Sequence, residues 1–244
     1  MPIDQAEAIV LRTYTIGDQD KIAVFLTRDK GMIRGVAKGA RKFGNRFGSS
    51  LEPMSHVTMF YYERERKDLV TVNNCDLVES FFEVQVDLKM SLTLSYFAEL
   101  IEESVPIRAP EDIAFRLLLS VLQALKQKGD LELLARYFEA WFLQINGFLP
   151  DVRHCKKCRK ALTESGWLSP KKDGVYCDAC APARTDEIRQ ELGRFMEWVK
   201  KNPPSKSDES PFTPAELKAI QKSLEAMIVF HLEREPKSLR YIRD

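Results

Sequence analysis

Four of the five cysteines form two Cys-x-x-Cys pairs, Cys155 with Cys158 and Cys177 with Cys180, and eighteen residues separate the pairs. Two such pairs can meet around one tetrahedral ion at metal–sulfur distances of about 2.3 Å. We predict that the four cysteines bind one zinc ion. Because four thiolates close the coordination shell and leave no position for water or substrate, this zinc is expected to be structural rather than catalytic.

The neighbouring residues do not change that interpretation. His154 precedes the first cysteine, but adjacent residues rarely converge on one ion, so we do not count it as a ligand. A redox role is disfavoured because a redox Cys-x-x-Cys normally follows a strand in a βαβ unit, which this segment lacks. The remaining alternative is a set of four free thiols. Cys75 stands alone in the sequence and is predicted to be a small buried residue.

Residues 28–48, here called the basic segment, carry seven lysines or arginines and one acid, Asp29. Two phenylalanines lie among these charges, and aromatic rings in a positive groove are typical of proteins that bind single-stranded nucleic acid. Arg34 and Lys38 have the same parity in a predicted strand, so both project from one face. The alternative is a solvated loop whose phenylalanines cap a barrel. The pattern predicts nucleic-acid contacts by Arg34, Lys38, Arg41, Lys42, Phe43, Arg46 and Phe47.

Two smaller basic groups could extend this surface. One surrounds the cysteines and consists of Lys156, Lys157, Arg159, Lys160, Lys171 and Lys172. The other consists of Arg64, Arg66 and Lys67, which alternate with acids and equally fit an ordinary exposed turn.

Motifs of catalysis are absent from the sequence. Gly39 and Gly44 have the spacing of an ATP-binding loop, but Asn45 and Arg46 stand where that loop needs lysine and serine or threonine. None of the three histidines lies in a metalloprotease or nucleophile motif. We therefore predict that the protein is not an enzyme.

The secondary-structure elements that must position these residues show two patterns of apolar residues, one typical of strands and one typical of helices. Alternating apolar residues predict short strands at 7–13, 21–27, 32–38, 56–62 and from 69 to 72 or beyond, with a hairpin turn at Asp29-Lys30-Gly31. Five short strands within about eighty residues are typical of a small barrel, and the five-stranded OB-fold is the common nucleic-acid-binding form. An SH3-like barrel gives nearly the same pattern.

After residue 80 the apolar residues recur at helical spacing, first at Leu94, Phe97, Ala98 and Ile101 and then within 113–121 and 134–145. Helical periodicity resumes at 186–201, and the composition of 202–211 predicts a solvated linker. Thr213-Pro214-Ala215-Glu216 predicts a capping box that starts a last long helix.

Composition restricts the protein class. The chain has 37 basic against 36 acidic residues and 44% hydrophobic residues, so it is globular, and any nucleic-acid surface must be local. No apolar run approaches the ~18 residues that span a bilayer, and the first residues carry acids where a signal peptide carries lysine or arginine. We expect a soluble intracellular protein.

In their order and spacing, several segments resemble the RecO family of bacterial DNA repair proteins. They are Glu7-Ala8-Ile9-Val10-Leu11-Arg12, Val36-Ala37-Lys38-Gly39-Ala40-Arg41-Lys42, Arg46-Phe47-Gly48, Gly147-Phe148-Leu149-Pro150 before the cysteines, and Lys237-Ser238-Leu239. The resemblance covers nearly the whole chain. It implies an α+β multidomain protein with an N-terminal five-stranded OB-fold β-barrel at 1–80, a C-terminal α-helical domain at 81–153 and 183–244, and an embedded four-cysteine zinc finger at 154–182.

The resemblance also implies a recombination mediator in the cytoplasm, associated with the nucleoid and with no membrane partner. Such a protein binds single- and double-stranded DNA, anneals complementary strands without ATP and, with RecR, helps to load RecA onto DNA covered by single-strand-binding protein (SSB), in functional connection with RecF. The family contacts the acidic SSB tail through its helical domain, and Arg116 and Arg136 are our candidates for that contact. The competing class is a zinc-stabilised protein-interaction adaptor without direct DNA binding.

Overall fold

The computed structural model describes residues 2–63, 69–107, 109 and 112–243, and for residue 243 it describes the backbone only. Arg64, Arg66 and Lys67, which we predicted as an extension of the basic surface, lie outside the described residues. The chain forms two compact units, residues 1–122 with 237–244, and residues 123–236. Within the described part of the chain, no helix is both long and apolar enough to cross a lipid bilayer.

The first unit contains a closed five-stranded β-barrel with the strand order β1-β2-β3-β5-β4, an OB-fold. The strands are β1 Asp4–Ile16, β2 Asp20–Thr27, β3 Gly31–Ala37, β4 His56–Tyr62 and β5 Val70–Glu79. β3 and β5 pair in parallel, while the other neighbours in the barrel are antiparallel. The predicted five-strand barrel is therefore confirmed.

Small, β-branched and aromatic residues fill the barrel, and each strand alternates its side chains between the interior and the outside. Val10, Phe25, Val57 and Val72 are all buried in this core. Cys75 lies there as predicted, and burial raises the pKa of its thiol to about 12. A β-bulge between Val10 and Arg12 shifts the register of β1 against β2, the kind of irregularity that lets a strand bend around a small barrel.

Helices complete the first unit. A 3₁₀ helix at Phe82–Gln85 leads into α1 Leu88–Ser104, whose N-terminus is capped by the Asp87 side chain, which accepts from the backbone N–H of Met90 at 2.9 Å. α2 Asp112–Lys126 begins in this unit. α6 Lys237–Arg243 packs on α1, so the end of the chain belongs to the same unit as the barrel.

The second unit contains α3 Leu131–Ile145, α4 Gln190–Lys201, α5 Pro214–His231 and a small three-stranded sheet. That sheet has the order β7-β6-β8, with β6 Ser165–Leu168, β7 Val175–Tyr176 and β8 Glu187–Arg189. α5 packs on α3 and α4. The predicted capping box is confirmed, because Thr213 Oγ1 accepts from Glu216 N while Glu216 Oε2 accepts from Thr213 N.

Two predictions about the second unit are wrong. The helix expected over 186–201 begins only at Gln190, because Glu187–Arg189 form β8 and bury Ile188 against Gly166. The segment 202–211 is not a solvated linker: Pro204–Glu209 form a 3₁₀ helix that buries Pro204 and Ser207. The predicted domain boundaries stay predictions.

Candidate nucleic-acid interface and metal centre

The four predicted zinc ligands come together in the second unit. The Sγ atoms of Cys155, Cys158, Cys177 and Cys180 all lie within 4.8 Å of one another. Cys158 Sγ is 3.8 Å from Cys177 Sγ. Four sulfurs held at about 2.3 Å from a tetrahedral ion are about 3.8 Å apart, so this spacing matches a metal-thiolate centre. The residues can therefore hold one metal ion.

Backbone hydrogen bonds bring the two cysteine pairs together. Lys156 N donates to Val175 O at 2.7 Å, which joins the first pair to β7 two residues before Cys177. In the second pair, Cys180 N and Ala181 N both donate to Cys177 O, at 2.9 and 3.0 Å. The two tight turns are thus fixed by main-chain contacts, and each presents its two sulfurs to the other.

The electrostatics of the cluster also favour a cation. Burial raises the pKa of the Cys155 thiol, but hydrogen bonds from the backbone N–H groups of Cys158, Cys177 and Lys157 outweigh it and lower the pKa to about 6. Hydrogen bonding with Cys177, together with burial and the charge of Cys155, raises the pKa of Cys180 to about 12. A second thiolate beside the first is unfavourable unless a metal ion balances the charge.

The donor set is all sulfur, which suits a borderline or soft ion, and it closes a four-coordinate shell. His154 does not belong to this group of four sulfurs, and its Nδ1 lies 3.0 Å from Asp151 Oδ2. That this histidine is not a ligand stays a prediction.

Four of the seven predicted nucleic-acid contacts line a single cavity in the first unit. Lys38, Lys42, Phe43 and Arg46 surround a space of about 520 Å³ between the β1–β2 turn and the loop after β3. The other lining residues are Gln19, Asp20, Gly39, Gly44 and Asn45. Three exposed cations thus face one acid across an open cavity, which we call the barrel cavity.

Residues that the sequence analysis did not single out hold this loop in place. Asp20 Oδ1 accepts from Gly39 N at 2.7 Å, and Gly39 has a φ of 72°, a left-handed conformation that favours glycine. Asn45 Oδ1 accepts from Phe47 N at 2.9 Å, and Asn45 Nδ2 donates to Lys42 O at 3.0 Å. Asn45 directly follows Gly44, and asparagine beside glycine is a common turn signal that was available in the sequence; Asp20 carried no such signal.

The two phenylalanines differ sharply. Phe43 is fully exposed, while Phe47 is 3% exposed and belongs to the barrel core. The Arg46 guanidinium lies over the Phe47 ring, 4.8 Å from its centroid, and Arg46 Nε donates to Asn73 O at 2.6 Å. Phe43 alone is therefore placed to stack on a base, and the stacking role predicted for Phe47 does not fit its burial. Phe47 instead supports Arg46.

The other two predicted cations, Arg34 and Arg41, do not line the barrel cavity. Arg41 is exposed, and its Nη1 donates to the carbonyl oxygens of Gly17 and Asp18 at 3.3 and 3.1 Å, which ties the loop to the β1–β2 turn. Arg34 is exposed on β3 directly across from Val24. It is close enough to Glu102 that its charge, with that of Arg12, opposes the rise in the pKa of Glu102 that burial causes.

The two arginines predicted to contact the SSB tail also differ. Arg116 on α2 is exposed and forms an ion pair with Asp112 at 2.7 Å. Arg136 on α3 is 3% exposed, and its guanidinium is paired with the buried carboxylate of Glu139 at 2.9 Å. A buried arginine in such a pair does not offer its charge to a peptide, so its position does not favour the predicted role.

Together, the fold and these clusters define the class of protein: an OB-fold barrel with a cationic, aromatic cavity, followed by a helical region that carries a four-cysteine cluster able to hold a metal ion. Two family models match the chain. The one described as Recombination protein O N terminal matches residues 1–81, and the one described as Recombination protein O C terminal matches residues 85–240.

Curated relatives agree with this match over nearly the whole chain. The chain is 34% identical over 233 residues to the DNA repair protein RecO of Koribacter versatilis (strain Ellin345), covering 96% of this chain and 95% of that protein. It is 32% identical over 245 residues to the DNA repair protein RecO of Desulforudis audaxviator (strain MP104C), covering 98% and 96%. The chain belongs to the RecO family of DNA repair and recombination proteins.

Proposed function

We propose that the protein is a mediator of DNA repair and homologous recombination. It binds single- and double-stranded DNA, anneals complementary strands without ATP and, with RecR, helps to load RecA onto SSB-coated DNA, in functional connection with RecF. The proposal rests on the barrel cavity, where Lys38, Lys42 and Arg46 line the same space as the fully exposed Phe43. It is also supported by membership of the RecO family.

In this mechanism the cations of the barrel cavity bind phosphates and Phe43 stacks on a base. Every base has a π-face, and phosphates carry no sequence information, so binding is independent of sequence. Pairing between the two strands then selects the partner. No nucleotide hydrolysis is needed, because the protein only neutralises the strands and holds them near each other.

The proposed ion of the four-cysteine cluster is zinc, bound by Cys155, Cys158, Cys177 and Cys180. With four thiolates around it, the ion supplies folding energy to its module and no open position for chemistry. This supports a non-enzymatic protein in which the metal shapes a surface.

For the SSB tail, Arg116 is the candidate that remains accessible. Its guanidinium can exchange the exposed carboxylate of Asp112 for an acidic residue of the tail, since exposed ion pairs of this kind contribute only about 0.3–0.5 kcal/mol. Replacing Arg116 by alanine should weaken binding of an SSB-tail peptide in a fluorescence titration, whereas equal affinity would remove this residue from the contact.

The test of DNA binding is a fluorescence-anisotropy titration of a labelled oligothymidine at several salt concentrations. The log–log slope should change by about 0.7 for each phosphate contact that is lost on a single strand. The double variant Lys38→Ala/Lys42→Ala should therefore bind more weakly and flatten the slope by about 1.4 units. Lys218→Ala/Lys222→Ala is the matched control, because both lysines are exposed on α5 of the second unit and the loss of charge is the same.

If the wild-type protein binds no oligonucleotide even at low salt, the DNA-binding proposal fails and the chain is better explained as a protein-interaction adaptor. If both double variants change the slope equally, the effect comes from net charge and not from the barrel cavity.

A further inference from the structure

A second surface of the protein combines free cations with accessible aromatic rings. It lies on residues 154–189, here called the cysteine module, which contain the four cysteines and the small three-stranded sheet. We call it the knuckle surface and define it as Lys157, Arg159, Lys160, Lys171, Trp167 and Tyr176. All of these residues belong to the second unit, so this surface is separate from the barrel cavity of the first unit.

The four cations of the knuckle surface are exposed. Among the residues that the structure describes, no carboxylate forms an ion pair with any of them. Two neighbouring lysines behave differently: Lys156 Nζ lies 2.7 Å from Asp173 Oδ2, and Lys172 is paired with Asp186. Asp173 and Asp186 are thus already neutralised, and the four cations of the knuckle surface are available to an external anion.

The aromatic pair is fixed by the small sheet. Trp167 on β6 is directly across from Tyr176 on β7, so both rings are on the same face, and both are half-buried. The next pair, Leu168 and Val175, is buried on the opposite face. Trp167 Nε1 donates to Asp178 Oδ1 at 2.7 Å, which holds the indole in a defined orientation.

The fold places the cations and the rings on neighbouring segments of the backbone. The first cysteine pair runs beside β7, because Cys155 forms a backbone β-bridge with Val175. Lys157 lies two residues after Cys155. Lys171 is in the turn that joins β6 to β7. Rings on which bases stack, flanked by cations that neutralise phosphates, are the combination used by proteins that bind single strands.

We propose that the knuckle surface is a second binding site for single-stranded DNA. This inference rests on the proposed function and deepens it, because a protein with two separate sites can hold two strands at once. Both strands are polyanions, and each site neutralises the phosphates of its own strand, so the repulsion that opposes annealing is reduced.

The experiment mixes the full-length protein with two non-complementary oligothymidines of about 10 nucleotides, a length close to one site, that carry a donor and an acceptor dye. Energy transfer reports two strands on one protein, and anisotropy reports binding of the first strand. The wild-type protein should give energy transfer. Lys157→Ala/Lys160→Ala should lose most of it while still binding one strand. Lys218→Ala/Lys222→Ala should behave as the wild type, and melting curves with metal analysis verify that each variant is folded and loaded.

The outcomes separate the two proposals. Unchanged energy transfer in Lys157→Ala/Lys160→Ala overturns the second site and leaves the proposed function intact; it is also the result expected if the knuckle surface binds an acidic protein segment instead. Loss of energy transfer with one strand still bound supports the second site. Absence of any binding by the wild-type protein overturns both proposals.

Discussion

The carboxylate of Glu99 joins the end of the chain to the barrel-containing unit, and its removal should release α6. Glu99 is 8% exposed, and it accepts from Lys237 N at 2.9 Å, from Ser238 N at 2.9 Å and from the Ser238 hydroxyl. These donors are at the N-terminus of α6, where a negative charge is also favoured by the helix dipole. Glu99→Gln keeps the shape of the side chain but removes the charge and replaces one acceptor oxygen by an NH₂ group.

The magnitude follows from these contacts. A hydrogen bond to a charged group contributes about 1.5–3 kcal/mol, and glutamine retains one of the two acceptor oxygens, so docking of α6 should weaken by about 2–4 kcal/mol. Burial raises the pKa of Glu99, but the hydrogen bonds from Ser238 and Lys237 outweigh it and hold the pKa below its ordinary value of 4.5. Because the folded pKa is lowered, the stabilisation is complete above the unfolded pKa and is lost as the pH falls through the folded pKa.

Hydrogen exchange of the α6 amides measures this effect directly. In Glu99→Gln these amides should exchange about 30- to 1000-fold faster, which corresponds to the same 2–4 kcal/mol, and the acid-induced loss of protection should disappear. Glu103→Gln is the control, since Glu103 is exposed on the same helix. Equal protection of α6 in the Glu99 variant and the wild type would refute the argument.

Three further predictions concern the metal centre and the barrel. Cys155→Ser should abolish stoichiometric zinc binding and unfold the cysteine module, seen as lost metal by elemental analysis and new protease sites, whereas an unchanged zinc content would exclude this cysteine as a ligand. Gly31→Ala should destabilise the protein by about 2–4 kcal/mol in a urea melt. The reason is that Gly31 has a φ of 65° and an added Cβ would lie 2.1 Å from the Ala109 carbonyl oxygen. Unchanged stability would contradict this packing. Phe47→Ala should cost about 3–5 kcal/mol of stability, because the ring is buried in the barrel core. Phe43→Ala should leave stability unchanged and lose about 1–3 kcal/mol of DNA affinity, because that ring is exposed. The reverse pattern would contradict the placement of the two rings.

Much of the barrel could be predicted from the sequence because alternation of apolar residues marks each strand. The bounds of β4 were predicted correctly, β1 is longer than the predicted 7–13, and β5, predicted to reach 72 or beyond, ends at Glu79. Pairing with a neighbour extends these strands through exposed residues such as Tyr14, which lies across from Ile22. The ends of these strands are held by hydrogen bonds to the partner strand, so their own sequence shows no alternation of apolar and polar residues.

The small sheet of the cysteine module could not be predicted in this way. β6, β7 and β8 have four, two and three residues, too few for a period to be recognised. Their pairing depends on the turns around the cysteines and on contacts such as Gly166 with Ile188. α6 was missed for a related reason, since it is seven residues long and is fixed by Glu99, far away in the sequence.

For the candidate site, the residue types were predictable and their accessibility was not. The cysteine spacing predicted that the four cysteines converge, and the structure brings all four sulfurs together. Within the basic segment, however, Phe43 and Phe47 occupy a loop without regular periodicity, so only the structure distinguishes the exposed ring from the buried one. Arg136 likewise follows helical spacing that does not reveal its buried partner Glu139.

The central claim is that the barrel cavity holds DNA strands for annealing, and the most direct measurement is the annealing rate of two complementary labelled strands without ATP. We predict that the wild-type protein accelerates annealing, that Lys38→Ala/Lys42→Ala loses most of the acceleration, and that Lys218→Ala/Lys222→Ala retains it. A wild-type rate equal to that of the strands alone, or full acceleration by the barrel variant, would contradict the claim.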